Sequence, residues 1–196
     1  MYKNEMIVCF KCQKSNFVKA KTFEVGIFKC SNCGQANKLS NAYYDERVLI
    51  GLPQFGSIVS INNSSERYAL SLGKNVLGVG EMADITLKKA IHNGKYFISR
   101  RHCTLEVKFD KWKGQLNYVL QDGAMETESK QHKNSLNFTF FKNKKVEPQE
   151  AVYISNKEIF NLGGVDAFRL EHFVIPESML QTYKVSERIN PEETTD

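Results

Sequence analysis

Four of the five cysteines stand in two matched pairs, Cys9 with Cys12 and Cys30 with Cys33. Two residues separate the cysteines within each pair, and 17 residues lie between the pairs. This spacing is typical of four thiolates that hold one Zn²⁺ ion in a tetrahedral set. We therefore predict one structural zinc ion bound by these four side chains.

Two disulfides, or a redox dithiol, are the alternatives for the same cysteines. The first ten residues lack the apolar core of an export signal, so we expect a reducing compartment, which disfavours disulfides. A redox dithiol needs only one pair. Forty residues bury too little apolar surface to fold unaided, and a metal supplies the missing free energy. Residues 1–40 resemble a zinc ribbon, a family whose members bind nucleic acid, bind proteins or stabilise a terminus.

The zinc-ribbon segment is basic, with seven lysines and two glutamates in residues 1–40. Four thiolates and one Zn²⁺ add about −2 to this balance, which leaves roughly +3. Its aromatic residues offer stacking surfaces for bases, but we expect all four to form the small core: Phe10, Phe17, Phe23 and Phe28. The sequence therefore does not favour nucleic acid as the partner.

A second set of polar residues lies in three strings in the middle of the chain. They are Val76-Leu-Gly-Val-Gly80, Ile98-Ser-Arg-Arg-His-Cys-Thr-Leu105 and Asn134-Ser-Leu-Asn-Phe-Thr-Phe-Phe-Lys-Asn143. In this order and spacing they resemble the forkhead-associated (FHA) domain, over about residues 47–175. The resemblance implies a β-sandwich that binds phosphothreonine with loops at one end.

The resemblance also implies roles for single residues. A phosphothreonine brings a charge of about −1.5 to −2 and three acceptor oxygens, so it needs hydroxyl, backbone N–H and guanidinium donors. By position, Ser99 supplies the hydroxyl, and Arg100 reaches the phosphate or the peptide backbone beside it. Asn137 bonds the backbone of the peptide. Gly78 and His102 belong to the structural part of the motif, with His102 ordering the loop from inside.

The chain departs from the FHA pattern at four places. Val79 stands where the family has its phosphate-clamping arginine, and Leu136 where a hydroxyl often contacts phosphate. Phe138 replaces a glycine, and a distal Asn-Gly becomes Lys142-Asn143. A charge-assisted hydrogen bond contributes about 1.5–3 kcal/mol, so losing the clamp weakens binding ten- to a hundredfold. Lys74, Lys133 or Arg101 could take the place of the clamp, and we include Arg101 in the predicted phosphopeptide site.

Short runs of β-branched and aromatic residues, separated by turn residues, recur from Arg47 onward. In Thr104–Phe109, apolar residues alternate with polar ones, which predicts a strand with one buried face. We predict an all-β protein in which a zinc ribbon (1–40) and a polar linker (41–46) precede an antiparallel FHA-type β-sandwich (47–175). An acidic tail (176–196), expected to be flexible, follows the sandwich.

Composition supports a globular chain, with 41% hydrophobic and 25% charged residues among 196. No apolar run approaches the roughly 18 residues of a membrane span, so we expect a cytoplasmic protein without a membrane partner.

We predict a non-catalytic adaptor of bacterial type whose partner carries phosphothreonine and is a Ser/Thr kinase or its substrate. The neighbouring His102 and Cys103 do not indicate an enzyme, because adjacent side chains of an extended chain point apart. Two alternatives stay open. One is a phosphate-independent protein scaffold with a degenerate FHA site, and the other is a nucleic-acid-associated protein acting through its ribbon.

Overall fold

The computed structural model describes residues 4–126 and 128–188. The N-terminal module consists of two hairpins with a short helix between them. Its elements are β1 (Glu5–Val8), β2 (Ser15–Val18), α1 (Ala20–Val25), β3 (Ile27–Lys29) and β4 (Ala36–Lys38). β1 pairs antiparallel with β2, and β3 with β4. Each cysteine pair therefore lies in the turn of one hairpin.

The core of this module is small, and only two of its phenylalanines belong to it. Phe23 and Phe28 are buried with Val18 and Leu39. Phe10 and Phe17 are 66% and 63% exposed, so the prediction that all four phenylalanines form the core is wrong for these two. Strand alternation is the reason for Phe17, because its neighbour Val18 faces inward. Phe10 lies in the turn between the first two cysteines.

The remaining elements follow in chain order, with two short helices among them. They are β5 (Ser40–Tyr44), a 3-10 helix (Glu46–Gly51), β6 (Ser57–Ser60), β7 (Arg67–Ala69), β8 (Gly73–Gly78), β9 (Ile85–Thr86), β10 (Cys103–Asp110), β11 (Gln115–Asp122), β12 (Ala124–Met125), β13 (His132–Lys133), β14 (Thr139–Phe141), β15 (Lys144–Lys145), β16 (Val152–Tyr153), β17 (Ile159–Leu162), β18 (Asp166–Glu171), α2 (Glu177–Thr182) and β19 (Lys184–Arg188). Among the described residues, no helix has the length and apolar character to cross a membrane.

Two sheets form a β-sandwich, as the sequence predicted. One has the strand order β16-β11-β10-β8-β9, and the other β15-β14-β17-β18-β6-β7. Leu77, Leu105 and Leu120 from the first sheet share one core with Ile58 and Leu170 from the second, and all five are fully buried. The pairing is antiparallel except between β8 and β9, which run parallel. The central strands β8 and β10 both have an end at the loops that carry the predicted site.

The alternation predicted for Thr104–Phe109 is present in β10. Leu105 and Val107 are buried in the core, Phe109 packs against it, and Lys108 is exposed. Because the period of a strand is two, this pattern turns one face of β10 inward along its whole length. Cys103 at its start is fully buried in the same core.

Residues 40–44 and 184–188, which fall largely in the predicted linker and tail, are strands in the structure. They form β5 and β19, which pair antiparallel along their length. Tyr44 anchors this pair, because its ring packs against the sandwich core and its N–H donates to the Lys111 carbonyl at 2.8 Å. The pairing joins segments some 140 residues apart, so local composition does not signal it. Residues 189–196 of the predicted tail lie outside the described residues.

Candidate functional site

Two loops meet at one end of the sandwich because two glycines let their backbones approach. The N–H of Val79 donates to the Ser99 carbonyl at 3.2 Å, and the N–H of Gly80 donates to the Arg100 carbonyl at 3.0 Å. A Cβ at Gly78 would overlap the Arg100 carbonyl, and one at Gly80 would lie 2.7 Å from the Cβ of Arg100. The structural role predicted for Gly78 therefore has a steric basis.

A buried histidine joins these loops to a third. His102 is fully buried, and its Nδ1 accepts a hydrogen bond from the Ser99 N–H at 2.9 Å. Its Nε2 lies 3.1 Å from the Phe138 carbonyl, to which it donates. One nitrogen accepts and the other donates, so the imidazole is neutral. Burial lowers the pKa of His102, which favours the same form.

Ser99 and Asn137 are brought together across this junction. The Leu136 N–H donates to the Ser99 Oγ at 3.2 Å, which leaves the hydroxyl proton free to donate outward. Asn137 donates through Nδ2 to the Phe97 carbonyl at 2.9 Å. Its Oδ1 has no partner among the described residues and can accept from a ligand.

The loop that carries Leu136 and Asn137 rests on a buried carboxylate that sequence reasoning missed. Asp122 is 2% exposed and accepts from the Ser135 N–H at 3.1 Å and the Ser135 hydroxyl at 2.7 Å. The Thr139 hydroxyl donates to it at 2.8 Å. In the sequence, the signal for this buried carboxylate was the pair of hydroxyl residues, Ser135 and Thr139, on either side of Leu136–Phe138. The loop is therefore held rigidly from inside.

The two adjacent arginines have different surroundings. The Arg101 guanidinium donates to the Met82 carbonyl at 2.5 Å and to the Met125 carbonyl at 2.9 Å, so it braces two loops. Arg100 is exposed, and within residues 4–126 and 128–188 its guanidinium and backbone N–H have no partner. The structure thus leaves Arg100, and not Arg101, with free donors beside Ser99.

Three residues at the positions that depart from the FHA pattern have a left-handed backbone. Phe138 has a φ of 59°, and Lys142 and Asn143 have φ of 50° and 61°, which is the left-handed region that glycine fills most readily. Lys142 and Asn143 form the two-residue turn of the β14–β15 hairpin. Val79 is partly buried against the sandwich core and has no donor to offer a ligand.

Cys103 and His102 do not form a nucleophile–base pair. The Cys103 side chain lies in the sandwich core, and burial raises the pKa of its thiol. Both ring nitrogens of His102 are occupied by backbone groups. The arrangement offers no accessible thiolate.

The four cysteines of the N-terminal module form a second candidate site. Their Sγ atoms all lie within 4.8 Å of one another, with 3.7 Å between Cys9 and Cys33 and 3.6 Å between Cys12 and Cys30. The backbone N–H of Cys33 is the main group that lowers the pKa of the Cys30 thiol, to about 6. Against the lowering effect of the Gln35 N–H, burial and the neighbouring sulfurs raise the pKa of Cys33 to about 11. Four sulfurs clustered in this way suit a tetrahedral metal ion.

Two buried asparagines hold the cysteine turns, and each stands four residues after the second cysteine of its pair. Each donates through Nδ2 to a carbonyl of its own turn at 2.8 Å. Each also accepts from the opposite turn, Asn16 from the Ser31 N–H at 2.8 Å and Asn37 from the Phe10 N–H at 3.0 Å. Asn16 also lies 3.5 Å from the Cys30 Sγ. Sequence reasoning missed both, although the spacing repeats in the sequence.

Comparison with known families identifies the sandwich. The family model of the FHA domain matches residues 70–163. The chain therefore contains an FHA domain, which confirms the resemblance seen in the sequence. No curated protein matches the chain at a significant level.

Several solved structures resemble the chain over the sandwich. The Slr1951 protein of Synechocystis sp. is 21% identical with a TM-score of 0.46, covering 62% of this chain and 99% of that one. The FHA domain of a hypothetical Arabidopsis thaliana protein is 18% identical with a TM-score of 0.45, covering 63% and 90%. Mycobacterium tuberculosis EmbR, solved with a low affinity phosphopeptide, is 18% identical with a TM-score of 0.43, covering 63% and 26%.

Neutral His102 leads to a prediction about pH. The unfolded chain protonates this residue near its ordinary pKa of 6.5, and the folded chain does so at lower pH. Its contribution to stability is therefore complete above pH 6.5 and is lost as the pH falls from there toward the folded pKa. We expect His102→Gln to flatten the fall in unfolding free energy between about pH 7 and pH 5.

Urea unfolding followed by the fluorescence of Trp112, the only tryptophan, measures this effect in the sandwich alone. His172→Gln is a parallel test, because burial also lowers the pKa of His172, so the same linkage should flatten the slope in that variant. If the unfolding free energy of His102→Gln changes with pH as steeply as that of the wild type, the assignment of His102 as a buried neutral imidazole is contradicted.

Proposed function

We propose that the protein is a non-catalytic adaptor whose FHA domain binds a phosphothreonine-containing segment of another protein. The observation that carries this proposal is the convergence of Ser99, Arg100 and Asn137 on loops joined by His102. Their free hydrogen-bonding groups face no partner in the described chain, and the family match supports the phosphopeptide as the ligand.

Each free group has a part in binding such a ligand. The Ser99 hydroxyl and the Arg100 N–H donate to phosphate oxygens, and the Arg100 guanidinium adds a positive charge. The Asn137 Oδ1 accepts an N–H from the peptide backbone next to the phosphothreonine. Arg101 acts indirectly, by fixing the loops of Met82 and Met125. Val79 has no guanidinium that could bond the phosphate, so we expect modest affinity for the phosphopeptide.

The test is a phosphothreonine peptide library screened against the full chain, with each selected peptide also assayed without phosphate. We expect Ser99→Ala and Arg100→Ala each to weaken phosphopeptide binding about tenfold or more, because each removes a hydrogen bond to a charged group. Val79→Arg restores a cation beside Ser99 and should strengthen binding about tenfold.

The matched control for Arg100→Ala is Arg47→Ala, which removes an exposed arginine from the 3-10 helix. It should leave affinity unchanged. Equal binding of peptides with and without phosphate would contradict a phosphothreonine site and would favour a phosphate-independent scaffold.

We further propose that Cys9, Cys12, Cys30 and Cys33 bind one structural Zn²⁺ ion. The clustered sulfurs and the small apolar core of the module support this, since metal binding then supplies folding free energy. Four thiolates persist in a reducing compartment, which is consistent with our proposal of a bacterial cytoplasmic protein. The partner we propose there is a Ser/Thr kinase or one of its substrates.

Zinc binding provides a separate prediction. We expect one zinc per chain, and we expect Asn16→Ala and Asn37→Ala each to lower zinc affinity about 10- to 100-fold, because groups that orient metal ligands contribute on this scale. Competition with a chromophoric chelator measures the affinity. Asn32→Ala is the control, since this exposed asparagine lies between two of the cysteines and its side chain has no hydrogen bond to any residue that the structure describes. Equal losses in all three variants would contradict the role of the buried asparagines.

The exposed phenylalanines favour a second candidate function, binding of single-stranded nucleic acid by the N-terminal module. Phe10 and Phe17 lie at the surface, and the exposed Lys11 and Lys14 lie in the same hairpin turn. Stacking on such rings contributes about 1–3 kcal/mol per base, and lysines contact the phosphates.

Fluorescence anisotropy with labelled single-stranded DNA and RNA tests this second function in the full chain. If it is correct, binding weakens with salt, and Phe10→Ala and Phe17→Ala each reduce affinity about fivefold or more. Tyr153→Ala, which removes an aromatic ring of similar exposure from the sandwich, should have no effect. Absence of binding at low salt would exclude this function.

A further inference from the structure

A cleft of about 440 Å³ lies on the outer face of the five-stranded sheet. Its floor is a row that strand pairing places side by side, Val76 on β8, Thr104 on β10 and Gln121 on β11. Each of the three is adjacent in sequence to a leucine of the sandwich core, so it faces away from that core. The volume falls within the roughly 300–1,000 Å³ of small-molecule sites.

The walls of this cleft carry polar groups that are free to bond a ligand. Met125 and His132, which pair in the β12–β13 hairpin, form one wall, and Gln149 from the loop before β16 lies on another. In the part of the chain that the structure describes, the carboxamides of Gln121 and Gln149 have no hydrogen-bond partner. The His132 Nε2 donates to the Asp122 carbonyl at 2.8 Å, which leaves Nδ1 available.

The fixed charges that line the cleft are positive. Lys74 on β8 and Arg101, which precedes β10, are both lining residues. Lys74 has no ion-pair partner among the described residues. The Arg101 guanidinium uses two of its five N–H groups on loop carbonyls and keeps three for a further acceptor. Because a cleft lined by charges of one sign concentrates counter-ions, this one attracts anions.

No carboxylate of the described chain lines the cleft to oppose these cations. The acidic residues beside its lining positions are all bonded to other groups. Asp84 accepts from the Val76 N–H at 2.7 Å, Glu106 from Lys108 at 2.9 Å, Asp122 from the Ser135 hydroxyl at 2.7 Å, Glu126 from Lys133 at 2.9 Å and Glu150 from the Glu147 N–H at 2.9 Å. An anion in the cleft therefore meets no unpaired negative charge.

The two kinds of polar group lie on different sides of the cleft. The cations are on the side of β8, and the glutamines are on the side of β11 and β16. β10 separates β8 from β11, so these sides are roughly 10 Å apart. Lysine and arginine bond phosphate oxygens, whereas a carboxamide offers a donor and an acceptor side by side, as the edge of a nucleobase does. Val76 and Met125 add apolar surface between them.

We propose that this cleft binds a nucleotide, with its phosphate toward Lys74 and Arg101 and its base toward Gln121 and Gln149. This site is separate from the proposed phosphothreonine site, since Ser99, Arg100 and Asn137 do not line the cleft. The two sites are joined through Arg101, which follows Arg100 in the chain and braces the loops around both.

Titration of the full ¹⁵N-labelled chain with AMP, GMP, CMP or UMP, followed by ¹H–¹⁵N NMR, tests this proposal. We expect at least one nucleotide to shift the N–H signals of Thr104 and Gln121 with a Kd below about 1 mM. Its nucleoside, and inorganic phosphate, should each bind about tenfold or more weakly, because each lacks one half of the contacts.

Two variants place a negative charge in the cleft. Lys74→Glu and Gln121→Glu should each weaken binding of that nucleotide about tenfold or more, and Gln121→Glu does so without changing the shape of the side chain. Lys89→Glu is the matched control, because it makes the same change of charge at an exposed lysine outside the cleft. It should bind as the wild type does.

Three results would overturn the inference. The first is that none of the four nucleotides binds. The second is that inorganic phosphate binds as tightly as the nucleotides, which would indicate an unspecific basic surface. The third is that the shifts are confined to Ser99 and Leu136, which would place the phosphate at the proposed phosphothreonine site. None of these results contradicts the proposed phosphothreonine function, which the peptide library tests separately.

Discussion

The candidate site depends on one buried imidazole. His102 accepts the Ser99 N–H and donates to the Phe138 carbonyl, so it fixes the distance between the two loops that carry the free polar groups. The bond accepted by Nδ1 requires the neutral form, which burial favours. Because Gly78 lets the Arg100 backbone pass close by, the imidazole, the glycine and the loops form one unit. A change in any of them displaces the Ser99 hydroxyl.

One loop of the site combines a glycine-like backbone with a bulky side chain. Phe138 adopts a positive φ that glycine would adopt more easily, which shows that the loop geometry is imposed by its anchors and not by local preference. The Asp122 carboxylate and His102 are those anchors. Side chains that point outward are free of this constraint. Val79 and Leu136 offer a ligand no charged or hydroxyl group from their side chains.

The N-terminal module is held together in a different way. Its apolar core consists of a few residues, too few to offset the conformational entropy of forty residues. Instead, two similar turns present four sulfurs, and Asn16 and Asn37 each tie one turn to the other. The cysteine spacing alone predicted the sulfur cluster. The asparagines repeat at the same spacing but could not be assigned from the sequence, since asparagine is common in turns for other reasons.

Local patterns in the sequence determined the cysteine cluster, the inward face of β10 and the FHA domain, because each depends on spacing along one segment or on the order of motifs. Tertiary structure alone decided three other features. It separated Arg100 from Arg101, one free and one bonded to two carbonyls. It joined the two cysteine turns through Asn16 and Asn37, and it paired β5 with β19. The physical reason is the same in each case. These outcomes depend on contacts between segments far apart in the chain, and the sequence of one segment does not reveal which distant segment it will contact.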